Sequence, residues 1–114
     1  VHLVYKLAPA TLWKEAEAAG VFAGAPVDLA DGFIHFSTAA QTRETAAKHF
    51  AGVSDLMLIA VDADLLAEGL KWEKSRGGQL FPHLYRPLPL AAVRSVAPIP
   101  LGPDGHHDFA GLLP

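Results

Sequence analysis

The stretch Leu56-Met57-Leu58-Ile59-Ala60-Val61 constrains the fold more than any other in this chain. Six apolar residues follow one another without interruption between Asp55 and Asp62. A strand with one face in water alternates; a continuous run of this kind is the pattern of a strand covered on both faces. It predicts the centre of a sheet. Hydrophobic residues make up 51% of the 114 and charged residues 18%, which is enough to close one core in a chain too short for two. One domain over residues 1–114 is expected.

The same numbers exclude several functions. The formal charge of −3 is small and no basic run is present, so nucleic acid is not an expected partner. With no cysteine, disulfides, thiolate chemistry and cysteine-based zinc sites are ruled out. Residues 56–61 are the longest apolar run and fall far short of a membrane span, and no stretch reads as a signal peptide. No membrane association and a cytoplasmic location are the expectation.

Around the central strand the other elements fall into place. Leu3-Val4-Tyr5-Lys6-Leu7 alternates as an opening strand that Pro9 stops. Thr11 is positioned to cap a helix over residues 12–19, with Leu12, Ala16 and Ala19 as its apolar stripe, Trp13 packing beside it and Gly20 closing it. Residues 21–30 show no period and contain Gly24 and Pro26, so they read as a loop into an Asp31-Gly32 turn. Thr38 and Gln41 form the reciprocal pair Thr-x-x-Gln that starts a helix from Ala39 to about Phe50, ended by Gly52. His49 near its end suits the helix dipole. One helical turn is expected over residues 65–68, then a short strand, Leu70-Lys71-Trp72-Glu73. Pro82 has no backbone donor, so Phe81-Pro82-His83-Leu84-Tyr85 reads as an edge or extended loop, prolonged by Arg86-Pro87-Leu88-Pro89. A last strand over residues 93–99, a turn at Gly102-Pro103-Asp104-Gly105 and a loosely held tail from Ala110 complete the chain.

The chemistry-bearing residues gather in three places. In Asp31-Gly32-Phe33-Ile34-His35-Phe36-Ser37-Thr38, alternation sends Ile34 and Phe36 one way and Phe33, His35 and Ser37 the other, placing an imidazole and a hydroxyl at the start of a helix. Glu73 ends a strand, and His83 and Tyr85 lie in the proline-rich segment, whose aromatic composition suits a pocket wall. Each has a structural alternative: a satisfied histidine, a helix cap, a solvated carboxylate. His35, His83 and Glu73 would make a zinc triad for a metal-dependent hydrolase if they converged, but no spaced pair such as HExxH supports it, and no metal is expected. His106-His107 does not chelate, because neighbours on a strand point apart. Neither a phosphate-cradling glycine loop nor a Gly-x-Ser-x-Gly elbow occurs.

Taken together, Val4-Tyr5-Lys6-Leu7, the Trp13 helix, Asp31 to Thr38, the Leu56 to Asp62 strand, Trp72-Glu73 and Phe81 to Leu88 resemble the small bacterial family catalogued as domain of unknown function 952. That family is grouped by fold with the ADP-ribosyltransferase superfamily. The resemblance implies an α+β fold of ADP-ribosyltransferase type, a split mixed or antiparallel sheet with two main helices packed on it, and NAD in the cleft between the halves. It matches His35, Ser37 and Thr38 to the second-strand element of an NAD site and sets Lys6 near the first-strand position, with Tyr5, Tyr85 and Arg76 as further candidates for binding NAD or a related nucleotide. It also implies an ADP-ribosyl-transfer or NAD-glycohydrolase step, for which Glu73, His35 and His83 are the candidate catalytic residues. Two departures stand out. Lys6 is a point charge unable to accept a hydrogen bond, and Glu73 is the only candidate for the late carboxylate that stabilises a developing sugar cation. A non-catalytic binding or regulatory module with the same fold is the alternative.

Overall fold

The computed structural model describes residues 2–66 and 68–114, with Arg76 described in its backbone alone. Among them the order is β1 (Leu3–Pro9), α1 (Ala10–Ala19), β2 (Val21–Phe22), α2 (Pro26–Asp31), β3 (Ile34–His35), α3 (Ala39–His49), β4 (Leu56–Asp62), β5 (Leu70–Lys74), β6 (Leu80–Leu84), β7 (Leu88–Pro89) and β8 (Val93–Pro98). None of the described helices is long and apolar enough to cross a membrane. A single 3-10 turn at Ala63–Leu66 replaces the turn expected over residues 65–68, of which Ala67 lies outside the described residues.

As its composition demands, β4 is the middle strand of the antiparallel sheet β1-β4-β8. Its alternate residues feed two separate cores. Ile59 and Val61 join Val4, Trp13 and Phe22 on one face, while Leu56, Leu58 and Ala60 join Tyr5, Leu7 and Phe109 on the other. A second antiparallel sheet has the order β3-β6-β5, and β2 pairs with β7 in a third. The first two meet where Tyr5 and Ser37 exchange backbone hydrogen bonds of 2.8 and 2.9 Å.

Pro82 therefore lies in a central strand, against the edge position expected for it. Antiparallel geometry explains the exception: a residue's N–H and C=O point to the same neighbour. The Pro82 carbonyl accepts from Phe36 N at 3.0 Å, so the missing N–H would face the short β3 side and costs the β5 ladder nothing.

Residues 21–30 are not a loop. Val21–Phe22 pairs with Leu88–Pro89, a pairing expected for neither segment. Pro26–Asp31 is a third helix, one more than the two main ones expected. Pro26 stands in its first turn, where no N–H is needed, and the Asp28 carboxylate accepts from Ala25 N at 2.8 Å. Gly32, at φ 86°, closes it, so Asp31-Gly32 is a helix end and not an independent turn. Six residues are too few for helical periodicity to be visible.

Helix α1 starts one residue earlier than its supposed cap. Pro9 takes the cap position, Ala10 N donates to Asp55 O at 2.8 Å, and Thr11 and Ala19 are exposed. Helix α3 begins as its sequence requires: Thr38 Oγ1 accepts from Gln41 N at 3.3 Å and Gln41 Oε1 from Thr38 N at 3.0 Å. The Gly102 to Gly105 turn closes with a 3.0 Å bond. The tail is not loose, because Phe109 is buried beside Ala46 of α3 and Leu112 and Leu113 pack on the same core.

Candidate functional site

The polar face of the second sheet follows from alternation and register. His35 pairs with His83, Lys71 with His83 and Glu73 with Phe81, so His35, Lys71, Glu73, Phe81, His83 and Tyr85 share one side. Beside the seam between the sheets lies a cleft of ≈ 440 Å³. Its walls come from β1 (Tyr5, Lys6), α2 (Val27, Asp31), the β3 segment (His35, Ser37), α3 (Thr45, His49), the following Phe50, Ser75 and β6 (Phe81, His83). The volume lies within the range of small-molecule sites. A more open groove of ≈ 790 Å³ beside Leu3, Leu70 and Trp72 brings no comparable set of polar groups together.

Two carboxylate networks hold the histidines. Asp28, whose side chain is 1% exposed, takes Lys6 Nζ on both oxygens (3.0 and 2.9 Å) and accepts from the His35 backbone N–H (3.1 Å) and from His35 Nδ1 (2.6 Å). The other His35 nitrogen, Nε2, lies 2.9 Å from Asp31 Oδ2. A carboxylate accepts and does not donate, so His35 Nδ1 is the donor to Asp28. Burial works to raise the Asp28 carboxyl. The His35 hydrogen bond, the Lys6 charge and the Ala25 N–H outweigh it and hold the group at about 2. Burial pushes the Lys6 amine below its ordinary value, against the opposing pull of Asp28.

A consequence is acid lability. Asp28 binds its proton more weakly in the folded protein than in the unfolded chain, where an Asp titrates near about 4. The stabilisation is complete above that value and disappears as pH falls from about 4 to about 2, a loss on the order of 2 kcal/mol. Urea unfolding across that window is expected to show it.

The second network is built on β5 and β6. Glu73 Oε1 accepts from Tyr85 Oη at 2.6 Å and from His83 Nδ1 at 2.8 Å. The Tyr85 bond foremost, then that of His83, keeps the Glu73 carboxyl below its ordinary value, and the same contact raises the Tyr85 phenol. Phe33 stacks on His83 with centroids 4.1 Å apart, so the imidazole is fixed in plane as well as in tautomer. Its Nδ1 donates to Glu73, so in the neutral imidazole Nε2 is the acceptor; among the described residues nothing hydrogen-bonds it. A base whose second nitrogen is oriented by a carboxylate is the pairing used for proton abstraction.

Of the residues singled out in the sequence, Tyr5, Lys6, His35, Ser37 and His83 share the cleft. Lys6 does so with its charge matched by Asp28. Thr38 is committed to the α3 cap, and Glu73 and Tyr85 stand behind His83 instead of in the wall. The Arg76 side chain lies outside the described residues. A metal ion between His35, His83 and Glu73 would require those bonds to be released, and among the described residues no three such groups are arranged for a metal. His107 Nε2 donates to Val53 O, a structural contact. The sequence reading missed Asp28, hidden in the supposed loop, and Thr45 and His49. The last two lie four apart on α3, a spacing that places them on one face of a helix.

No curated protein matches the chain. It is similar to protein CC0527 of Caulobacter crescentus, 50% identical in the crystal structure, with a TM-score of 0.92 and 96% of each chain covered. The solution NMR structure of CC0527, also 50% identical, gives a TM-score of 0.86 over 97% of this chain and 96% of that one. The family described as "Protein of unknown function (DUF952)" matches residues 7–96, and with that span of the chain covered this protein belongs to it.

Proposed function

We propose that the cleft binds NAD or a related nucleotide by its ring-and-ribose end, with His83 as a general base oriented by Glu73. The observation that carries this reading is the Glu73–His83 pair, which holds an imidazole in the wall of a mainly apolar cleft. Apolar walls with a few convergent polar groups suit a flat ring. The resemblance to the ADP-ribosyltransferase superfamily supports NAD as the first nucleotide to consider. NAD as substrate supplies a labile bond between a cationic ring and a sugar; the chain supplies the base that takes a proton from the attacking water or acceptor hydroxyl. In this reading Glu73 positions His83, while His35 is a wall residue locked by Asp28 and Asp31.

The fit is partial. Apolar walls and the His83 imidazole suit a ring and sugar, whereas Lys6 is neutralised by Asp28 and no described residue cradles a pyrophosphate. Titration with NAD at millimolar concentration is expected to raise the melting temperature, by ligand linkage to the folded state. The nucleotide reading fails if neither NAD nor nicotinamide riboside shifts it. Binding of NAD without nicotinamide release over hours would instead favour the non-catalytic binding module.

A further inference from the structure

Hydrogen-bond partners set the roles of Ser37, Thr45 and His83 in the cleft. Thr45 Oγ1 lies 3.1 Å from Gln41 O, a carbonyl that only accepts, so the single Thr45 hydroxyl hydrogen is committed there. The 3.0 Å contact between Ser37 Oγ and Thr45 Oγ1 then has Ser37 as its donor. Ser37 is left with lone pairs alone to offer a ligand. His83 in its neutral form is in the same position, since Nδ1 donates to Glu73 and Nε2 is then an acceptor. Asp31 adds a carboxylate to the same wall. Against these three acceptors, the one described lysine in the lining, Lys6, is buried with both Asp28 oxygens on its Nζ. The Tyr5 and Ser75 hydroxyls turn either way and do not discriminate.

We infer that the cleft is selective for a phosphate-free ligand, neutral or cationic, that donates hydrogen bonds: a nucleoside-like ring bearing N–H or O–H groups aimed at Ser37 and His83. A phosphate offers acceptor oxygens and negative charge, both repelled by such a wall. The inference rests on the ligand-binding reading of this cleft and specifies which end of the nucleotide is recognised. It makes Ser37 a specificity-determining residue, because Ser37→Ala removes an acceptor while leaving the Tyr5 backbone bridge intact.

The test is calorimetric titration of the full chain with nicotinamide riboside, NAD and inorganic pyrophosphate, repeated with Ser37→Ala. Riboside is expected to bind at least as tightly as NAD, pyrophosphate not at all, and Ser37→Ala to weaken riboside about tenfold. If NAD binds more than tenfold tighter than riboside, or pyrophosphate competes, the phosphate-free selectivity is overturned while nucleotide binding stands. Unchanged riboside affinity in a folded Ser37→Ala protein also overturns it. If riboside and NAD both fail to bind, the nucleotide reading falls and this inference falls with it.

Discussion

Replacing Asp28 by asparagine is expected to lower the unfolding free energy by about 3–5 kcal/mol. The side chain is 1% exposed and Lys6 is 6% exposed, so the substitution leaves an ammonium buried with no counter-charge. It also presents amide hydrogens where His35 and Ala25 need an acceptor. Against a total stability of about 5–15 kcal/mol for an ordinary domain, the loss is large enough to unfold part of the population at ambient temperature. Urea denaturation checks it, with Asp31→Asn as the control. That carboxylate is 48% exposed and is expected to matter by about 1 kcal/mol or less. Lys6→Met combined with Asp28→Asn is expected to be milder than Asp28→Asn alone, because the stranded charge goes too. A loss below about 1 kcal/mol in Asp28→Asn would mean that this ion pair does not organise the site.

If His83 is the base of the proposed reaction, the second large effect is on turnover. His83→Gln keeps a similar shape but has no base, and the rate of nicotinamide release is expected to fall about 10²- to 10⁴-fold, the ordinary contribution of a general base. Glu73→Gln should reduce the rate less and move its pH profile, since the imidazole stays in place without the carboxylate that fixes its tautomer. Release measured by chromatography over hours, with folding verified for each variant, distinguishes these outcomes. A Glu73→Gln variant as slow as His83→Gln with an unaltered pH profile would return Glu73 to a direct role at the sugar in the proposed reaction.

How much of this was legible in the sequence depended on whether the signal was local. The unbroken run from Leu56 to Val61 stated its burial on both faces, and the Thr38–Gln41 pair stated where α3 begins. Alternation around His35 placed the imidazole and the Ser37 hydroxyl on the wall they occupy. Asp28 was illegible for the opposite reason. Its partners lie 22 and 7 residues away, and its helix is six residues long, so neither periodicity nor spacing announced it. Pro82 misled because a missing donor excludes a residue from a sheet only when a neighbouring strand needs that donor. Phe109 belongs to the same class: a lone aromatic in a polar, glycine-rich tail carries no pattern, and only the second core beneath α3 gives it a place.

The proposed nucleotide-class ligand meets the His83 imidazole in the cleft wall. Nitrogen-15 NMR of the histidine side chains during NAD titration tests it most directly. The account expects the His83 Nε2 resonance to move with saturation while Nδ1, held by Glu73, moves little, and the indole signal of Trp72 in the more open groove to stay still. A titration that shifts Trp72 and leaves His83 untouched would contradict it.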